Sequence, residues 1–215
     1  MNEIRICAEA QNCKYYREGY CCKLNHPLEN GYAMVHHCGN CYLRPRKLNL
    51  GCGNDIRLDC INLDFKKWRE GIDIAWDLEK TPLPFKDNEF NEIISLNNLE
   101  HITNFIPLVR ELHRILKPSG KLSIVVPHYA SFLTYLDPTH KRGFSLHTFD
   151  YFTSKTPMEF YFDFKFSSVK SRLLFAPKLW ILESLVNIHP YLATLYEKTL
   201  VFIVPPSGVG IELIK

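Results

Sequence analysis

Lys47-Leu48-Asn49-Leu50-Gly51-Cys52-Gly53-Asn54, followed by Ile61-Asn62-Leu63-Asp64 and later Trp76-Asp77-Leu78, decides how this 215-residue chain is read. The order is an apolar strand, a pair of glycines, and a second apolar strand closed by an acid. Glycine lets the backbone take a positive φ and approach a ligand closely, so a glycine turn at the carboxyl end of a strand makes a floor for a small molecule. An ionised carboxylate only accepts hydrogen bonds, so an acid closing the next strand can take both protons of a ribose diol.

Outward from that stretch, strand-like and helix-like patterns alternate, which predicts an α/β sheet. Strands are expected at 47–51, 60–64, 73–77, 92–97 and 121–126. A helix is expected from Pro107 to Lys117, where Leu108, Val109, Leu112, Ile115 and Leu116 keep helical spacing and Lys117-Pro118-Ser119-Gly120 stops it. Phe160, Phe162, Phe164 and Phe166 alternate with polar or amphipathic residues, the period of a strand with one apolar face. Val209 to Ile214 is a second late strand, and Leu179 to Leu200 between them reads as mostly helical, either a packing helix or a cover over the site. Only residues 52–59 and 65–72 link the first three strands, too few for crossover helices, which take a dozen residues or more.

Gly51/Gly53, Asp64, Asp77-Leu78, Leu99-Glu100-His101-Ile102 and Leu116-Lys117-Pro118-Ser119-Gly120 follow one another over residues 47–127. In that order they resemble class I S-adenosylmethionine-dependent methyltransferases of the type 11-like group. The resemblance implies a Rossmann-like, seven-stranded, mostly parallel sheet, here with abbreviated first crossovers, and S-adenosylmethionine as cofactor. It also implies that the Gly51/Gly53 turn, with Asn49 and Cys52, faces the methionine moiety. Asp64 would take the ribose, Asp77 with Leu78 would frame the adenine, and Asn97 and His101 would lie beside the cofactor. Asn54 replaces the third glycine common in the family. A nicotinamide-binding fold would want G-x-G-x-x-G opening a helix and an acid about 20 residues on; Asp64 comes too soon after Gly53 for that.

In methyl transfer from a sulfonium the cofactor supplies the electrophile, leaving the protein to position the acceptor, remove its proton where needed and control water. Histidine suits the proton step at neutral pH. His101, His128 and His140 lie where the strand ends should converge. The segment Asp137-Pro138-Thr139-His140-Lys141-Arg142 resembles one that faces the acceptor in a bacterial and archaeal branch of these enzymes. On that basis His140 is expected as base or orienting group, with His128 as a second candidate. Asp137 is expected to fix the His140 tautomer, and Arg142 to read an anionic or polar acceptor. The plain alternatives are an N-capping Asp137 and a surface Arg142.

Six of the eight cysteines fall before residue 45, which predicts a Cys-rich module over 1–45 and a methyltransferase domain over 46–215. So short a segment cannot bury enough apolar area to fold without a staple. Four thiolates suit tetrahedral zinc, and Cys13, Cys21, Cys38 and Cys41 are the expected ligands; Cys7, Cys22, His26, His36 and His37 are also available, and an iron–sulfur cluster or no metal are the alternatives. Cys52 and Cys60 read as buried small hydrophobes.

A net charge of +3 is too mild to demand nucleic acid. The amino terminus lacks an apolar signal-peptide region and no apolar run is long enough to span a membrane, so a cytoplasmic protein is expected. The acceptor is expected to be a small polar or glycan-like molecule methylated on oxygen or nitrogen. The competing reading is a non-catalytic cofactor-binding protein whose zinc module docks a nucleic acid or protein partner.

Overall fold

The computed structural model describes residues 46–156 and 161–215, together with the backbone of residues 16–17, 20–21 and 26–27. Those three pairs form short antiparallel strands β1 (Tyr16–Arg17), β2 (Tyr20–Cys21) and β3 (His26–Pro27). Of the expected zinc ligands only Cys21 falls there, as strand backbone; Cys13, Cys38 and Cys41 lie outside the described residues.

From residue 46 the chain builds a seven-stranded sheet from β4 (Lys47–Leu50), β5 (Ile61–Asp64), β6 (Ile74–Ala75), β7 (Phe90–Leu96), β8 (Leu116–Pro127), β9 (Ser168–Leu174) and β10 (Gly208–Ile214). The spatial order is β6-β5-β4-β7-β8-β10-β9. The first five neighbours pair in parallel, and β10 runs antiparallel between β8 and β9. This is the mostly parallel sheet that the sequence implies. Strand order reverses direction at β4/β7, and in such open sheets ligands bind beyond the carboxyl ends at that switch point.

Helix α1 (Phe105–Ile115) lays Phe105, Leu108, Val109, Leu112 and Ile115 into the core. Its amino end is anchored in trans. Glu79 accepts hydrogen bonds from the Thr103 and Asn104 N–H groups at 2.7 and 2.8 Å, holding the two residues that lead into the first turn. Burial opposes ionisation of that carboxyl, but the two hydrogen bonds more than offset it and hold Glu79 below the usual range.

No helix occupies residues 51–60 or 65–73. Side-chain amides organise the first link instead. Asn49 Nδ2 donates to the Asp55 carbonyl and, at 3.0 Å, to Asn62 Oδ1, which also accepts the Arg57 N–H at 3.0 Å. Asp73 returns the tie by accepting the Asn62 N–H at 2.8 Å.

One expected strand is displaced. Phe160 lies outside the described residues; Phe164 and Phe166 are buried, but residues 162–166 lie against the 3-10 turn Thr148–Phe152 and form no strand: the Phe166 N–H donates to the Phe152 carbonyl at 2.8 Å. The edge strand begins two residues later, at Ser168, where the ladder to β10 takes over. An apolar alternation reports which side chains are buried, not whether the backbone finds a strand partner.

The Leu179–Leu200 region forms α3 (Trp180–Val186) and α4 (Pro190–Thr199), preceded by the 3-10 turn Pro177–Leu179. It is helical as expected, yet it buries little: Val186 from α3, and Ala193, Tyr196 and Glu197 from α4. Trp180, Ile181, Leu185, Ile188 and Tyr191 stay exposed. The short helix α2 (Leu133–Leu136) follows β8. Among the described residues no helix is long and apolar enough to cross a membrane.

Candidate active site

The carboxyl ends of β4, β5, β6, β7 and β8 deliver Gly51, Asp64, Asp77, Asn97 and His128 to one edge of the sheet. Gly51 and Gly53 both take positive φ, 64° and 50°. A Cβ on Gly51 would run into the Asn98 side chain, so the turn after β4 and the turn after β7 touch through the missing methyl. At Gly53 no atom of the other described residues, its chain neighbours aside, lies within 4 Å of the Cβ position, an open face where a ligand can reach the backbone.

Asp64 is 7% exposed, and its carboxylate is fixed by main-chain donors. The Gly53 N–H reaches Oδ2 at 2.7 Å and the Phe65 N–H reaches Oδ1 at 2.8 Å. Cys52 Sγ lies 3.8 Å from Oδ2. Burial, then the charge of Asp64, push the Cys52 thiol up to about 11, so at neutral pH it is a buried thiol and not a nucleophile. Cys60 is buried likewise, with its thiol pushed up to about 12. A carboxylate has about four lone-pair directions, so Asp64 keeps capacity for two hydroxyl donors.

Asp77 is exposed beyond β6, with Oδ1 accepting the Glu79 N–H at 3.0 Å, while Leu78 turns into the core. Asn97 has φ 47° and is exposed at the end of β7. Asn49 points elsewhere: its amide is spent on the link between β4 and β5, so it shapes the glycine turn from behind.

The loop after β8 is sewn to the turn after β7. The Lys141 N–H donates to the Glu100 carbonyl at 2.7 Å, and Arg142 Nη2 donates to the Ile102 and Thr103 carbonyls at 3.1 Å each. The Arg142 guanidinium also lies 4.9 Å from the Phe105 ring centroid. Expected as an acceptor-reading residue, Arg142 instead spends Nη2 as a clamp on two carbonyls. His101 and His140 stand edge to face with ring centroids 4.7 Å apart. Asp137 does not touch the His140 ring; it caps its own turn, accepting the Thr139 N–H and hydroxyl at 2.8 and 2.7 Å. The His140 tautomer is set by the Thr134 carbonyl, 3.0 Å from Nδ1.

His128, expected as a second candidate base, has no free nitrogen to offer. It is 0% exposed, its Nε2 bonds Glu197 Oε1 at 3.0 Å, and its Nδ1 accepts the Ala130 N–H at 3.1 Å. Glu197 also takes the Leu146 N–H at 2.7 Å. Burial opposes ionisation of Glu197, but these hydrogen bonds outweigh it and hold the carboxyl below its ordinary value. His128 thus ties β8 to α4.

Two contributors were missed in the sequence. Asn98 is one, since nothing marks it as the partner of a glycine. Glu100 is the other: a charged residue inside Leu99-Glu100-His101-Ile102 that proves to be buried, with its carboxyl pushed up to about 7 by desolvation. Its neighbour His101 is pushed below the ordinary imidazole value by burial and then by His140.

A family model described as a methyltransferase domain matches residues 63–124, from β5 through β8. An S-adenosylmethionine-dependent methyltransferase from Archaeoglobus fulgidus superposes with a TM-score of 0.56 at 18% identity, covering 80% of this chain and 86% of that one. The fold is that of the class I S-adenosylmethionine-dependent methyltransferases. Phosphoethanolamine N-methyltransferase 2 of Haemonchus contortus, solved with S-adenosylmethionine, shares it at TM-score 0.52 and 15% identity, over 80% of this chain and 48% of that one. In sequence, the demethylmenaquinone methyltransferase of Tropheryma whipplei is 27% identical over 95 residues, 40% of each chain. This chain spans well under half the length of the curated relatives it matches.

Proposed function

We propose that this chain transfers the S-methyl group of S-adenosylmethionine to an oxygen or nitrogen of a small acceptor. The observation that carries the reading is Asp64: a buried carboxylate at the switch-point edge of the sheet, held by the Gly53 and Phe65 N–H groups beside an open glycine. Gly51, Cys52 and Gly53 would line the methionine end through their backbone, Asp64 would hold the ribose diol, and Asp77 and Leu78 would flank the adenine. Asn97 and His101 would close the side nearest the acceptor. In the bound complex the cofactor supplies the electrophile, and the protein supplies alignment and exclusion of water.

His140 is assigned as an acceptor-orienting residue, with Asp137 shaping its turn and Arg142 securing that turn to the strand end. Asp64→Ala should abolish binding of S-adenosylhomocysteine in calorimetry, and wild type should move radiolabelled methyl from S-adenosylmethionine onto members of an acceptor panel. Binding of both cofactor forms with no transfer to any acceptor would favour the non-catalytic reading.

A small polar acceptor is the first expectation. A second, an amphiphilic acceptor, is favoured by one observation: Phe132, Tyr135 and Leu136 are exposed on the loop after β8, and Phe202 is exposed beside Tyr129 on the same loop. The panel therefore includes a detergent-solubilised isoprenoid phenol beside sugars and amines. We further propose that Cys13, Cys21, Cys38 and Cys41 hold one zinc in a module ending near residue 45; one equivalent of zinc and no iron by elemental analysis would support this.

A further inference from the structure

Glu100, His101 and His140 meet where the loop after β8 crosses the turn after β7, and one potential ligand atom from each lies within 4.8 Å of the others. Glu100 is 1% exposed, its Oε1 is 4.0 Å from His140 Nε2, and its Oε2 has no hydrogen-bond partner among the described residues. A bare carboxylate oxygen at that depth is costly unless a cation or a donor meets it.

In their neutral forms the two imidazoles bring no donor to Glu100. His140 Nδ1 lies 3.0 Å from the Thr134 carbonyl, which can only accept, so the ring proton sits on Nδ1 and Nε2 carries a lone pair toward Glu100. His101 Nδ1 lies 2.8 Å from Thr139 Oγ1, whose own proton goes to Asp137 Oδ1 at 2.7 Å. His101 therefore also carries its proton on Nδ1 and leaves Nε2 as a lone pair. Two neutral imidazoles with outer hydrogen bonds fixing their tautomers, joined by an unpartnered carboxylate, are the donor set that first-row transition metals take.

We propose that Glu100, His101 and His140 form a binding site for a divalent transition-metal cation at the acceptor side of the cleft. Bonds of about 2.1 Å separate tetrahedral ligand atoms by roughly 3.4 Å, so the cluster contracts by little more than an ångström at its widest to close on the ion. Three protein ligands leave coordination positions for an acceptor oxygen or amine. That use of the site rests on the methyl-transfer reading; the existence of the site does not.

The test uses the full chain, stripped with chelator and dialysed against Co²⁺, with bound cobalt measured by elemental analysis. Wild type should hold one equivalent more than either Glu100→Gln or His140→Ala. The amino-terminal cysteines contribute equally to all three, so the difference reads this cluster. A wild-type crystal soaked in Co²⁺ should show an anomalous peak between the three residues, a readout that does not depend on a variant folding. Equal cobalt in all three proteins, or a soaked crystal without a peak at the cluster, overturns the proposal. Asp64→Ala should keep the cobalt while losing S-adenosylhomocysteine. Wild type that binds cobalt but no S-adenosylhomocysteine would sink the methyl-transfer reading and leave the cation site standing.

Discussion

Asp64 and Glu100 are both buried carboxylates at the carboxyl edge of one sheet, and they are solvated in opposite ways. Asp64 is met by two main-chain N–H groups, so its charge and aim follow from the path of β4 and β5 alone. Glu100 lies deeper, has an oxygen without a hydrogen-bond partner among the described residues, and faces a His140 nitrogen that in the neutral ring accepts. The first is prepared for neutral hydroxyl donors, the second for something positive. The Asp64 side of this edge is thus made by backbone, and the Glu100 side by side chains brought from distant loops.

The sharpest way to break this comparison is Asp64→Ala. It removes the proposed acceptor for two ribose hydroxyls and strands the Gly53 N–H. Hydrogen bonds to charged groups contribute about 1.5–3 kcal/mol each. Affinity for S-adenosylhomocysteine should therefore fall by at least about 100-fold in calorimetry. A loss of less than tenfold would remove Asp64 from the cofactor site.

The same contrast explains what was legible in the sequence. The placement of Gly51, Gly53 and Asp64 on one edge could be read because a local order of strand, turn and strand sets it, and the short links correctly implied that no crossover helix joins the first three strands of this sheet. Glu100 could not be weighted, because its burial depends on Lys141 and Arg142 folding back from forty residues away. His128 looked favourable by position at the end of β8, but position does not reveal that Glu197, 69 residues on, takes its nitrogen. The strand expected through Phe162, Phe164 and Phe166 failed for a related reason: the alternation was real, and the partner of its backbone was not encoded nearby.

Glu197 is a third buried carboxylate and serves as the reference, since it is satisfied by both a side chain and a main-chain donor. His128→Ala leaves it with the Leu146 N–H alone and should destabilise the fold by about 2 kcal/mol in urea, with S-adenosylhomocysteine affinity unchanged. Because the folded carboxyl lies below its unfolded value of about 4.3, Glu197 contributes stability above that pH and loses it as pH falls through the folded value. Removing His128 removes a principal cause of that depression, so the acid limb of the stability profile should flatten. A variant as stable as wild type, with its acid limb unchanged, would return His128 to the list of candidate catalytic groups.

Asp77 tests how far backbone control extends along the edge. Its side chain is exposed, and the Glu79 N–H and Lys80 are its partners. Asp77→Asn should therefore leave stability unchanged and weaken S-adenosylhomocysteine by about tenfold, one charge-assisted hydrogen bond's worth. An affinity equal to wild type would place the adenosine end elsewhere.

Glu100→Gln gives the smallest effect and the most diagnostic sign. In cation-free protein at pH 8 the wild-type carboxylate is charged, buried and short of donors, so the neutral isostere should raise stability, by about 1 kcal/mol. Adding Co²⁺ should reverse the order, because the ion binds only the folded wild type and stabilises it by mass action. For Asp64, where main-chain donors already meet the charge, the neutral isostere Asp64→Asn should destabilise whether or not Co²⁺ is present. If Glu100→Gln behaved like Asp64→Asn, losing stability in cation-free buffer, Glu100 would have donors of its own and the difference between the two sides of the cleft would collapse.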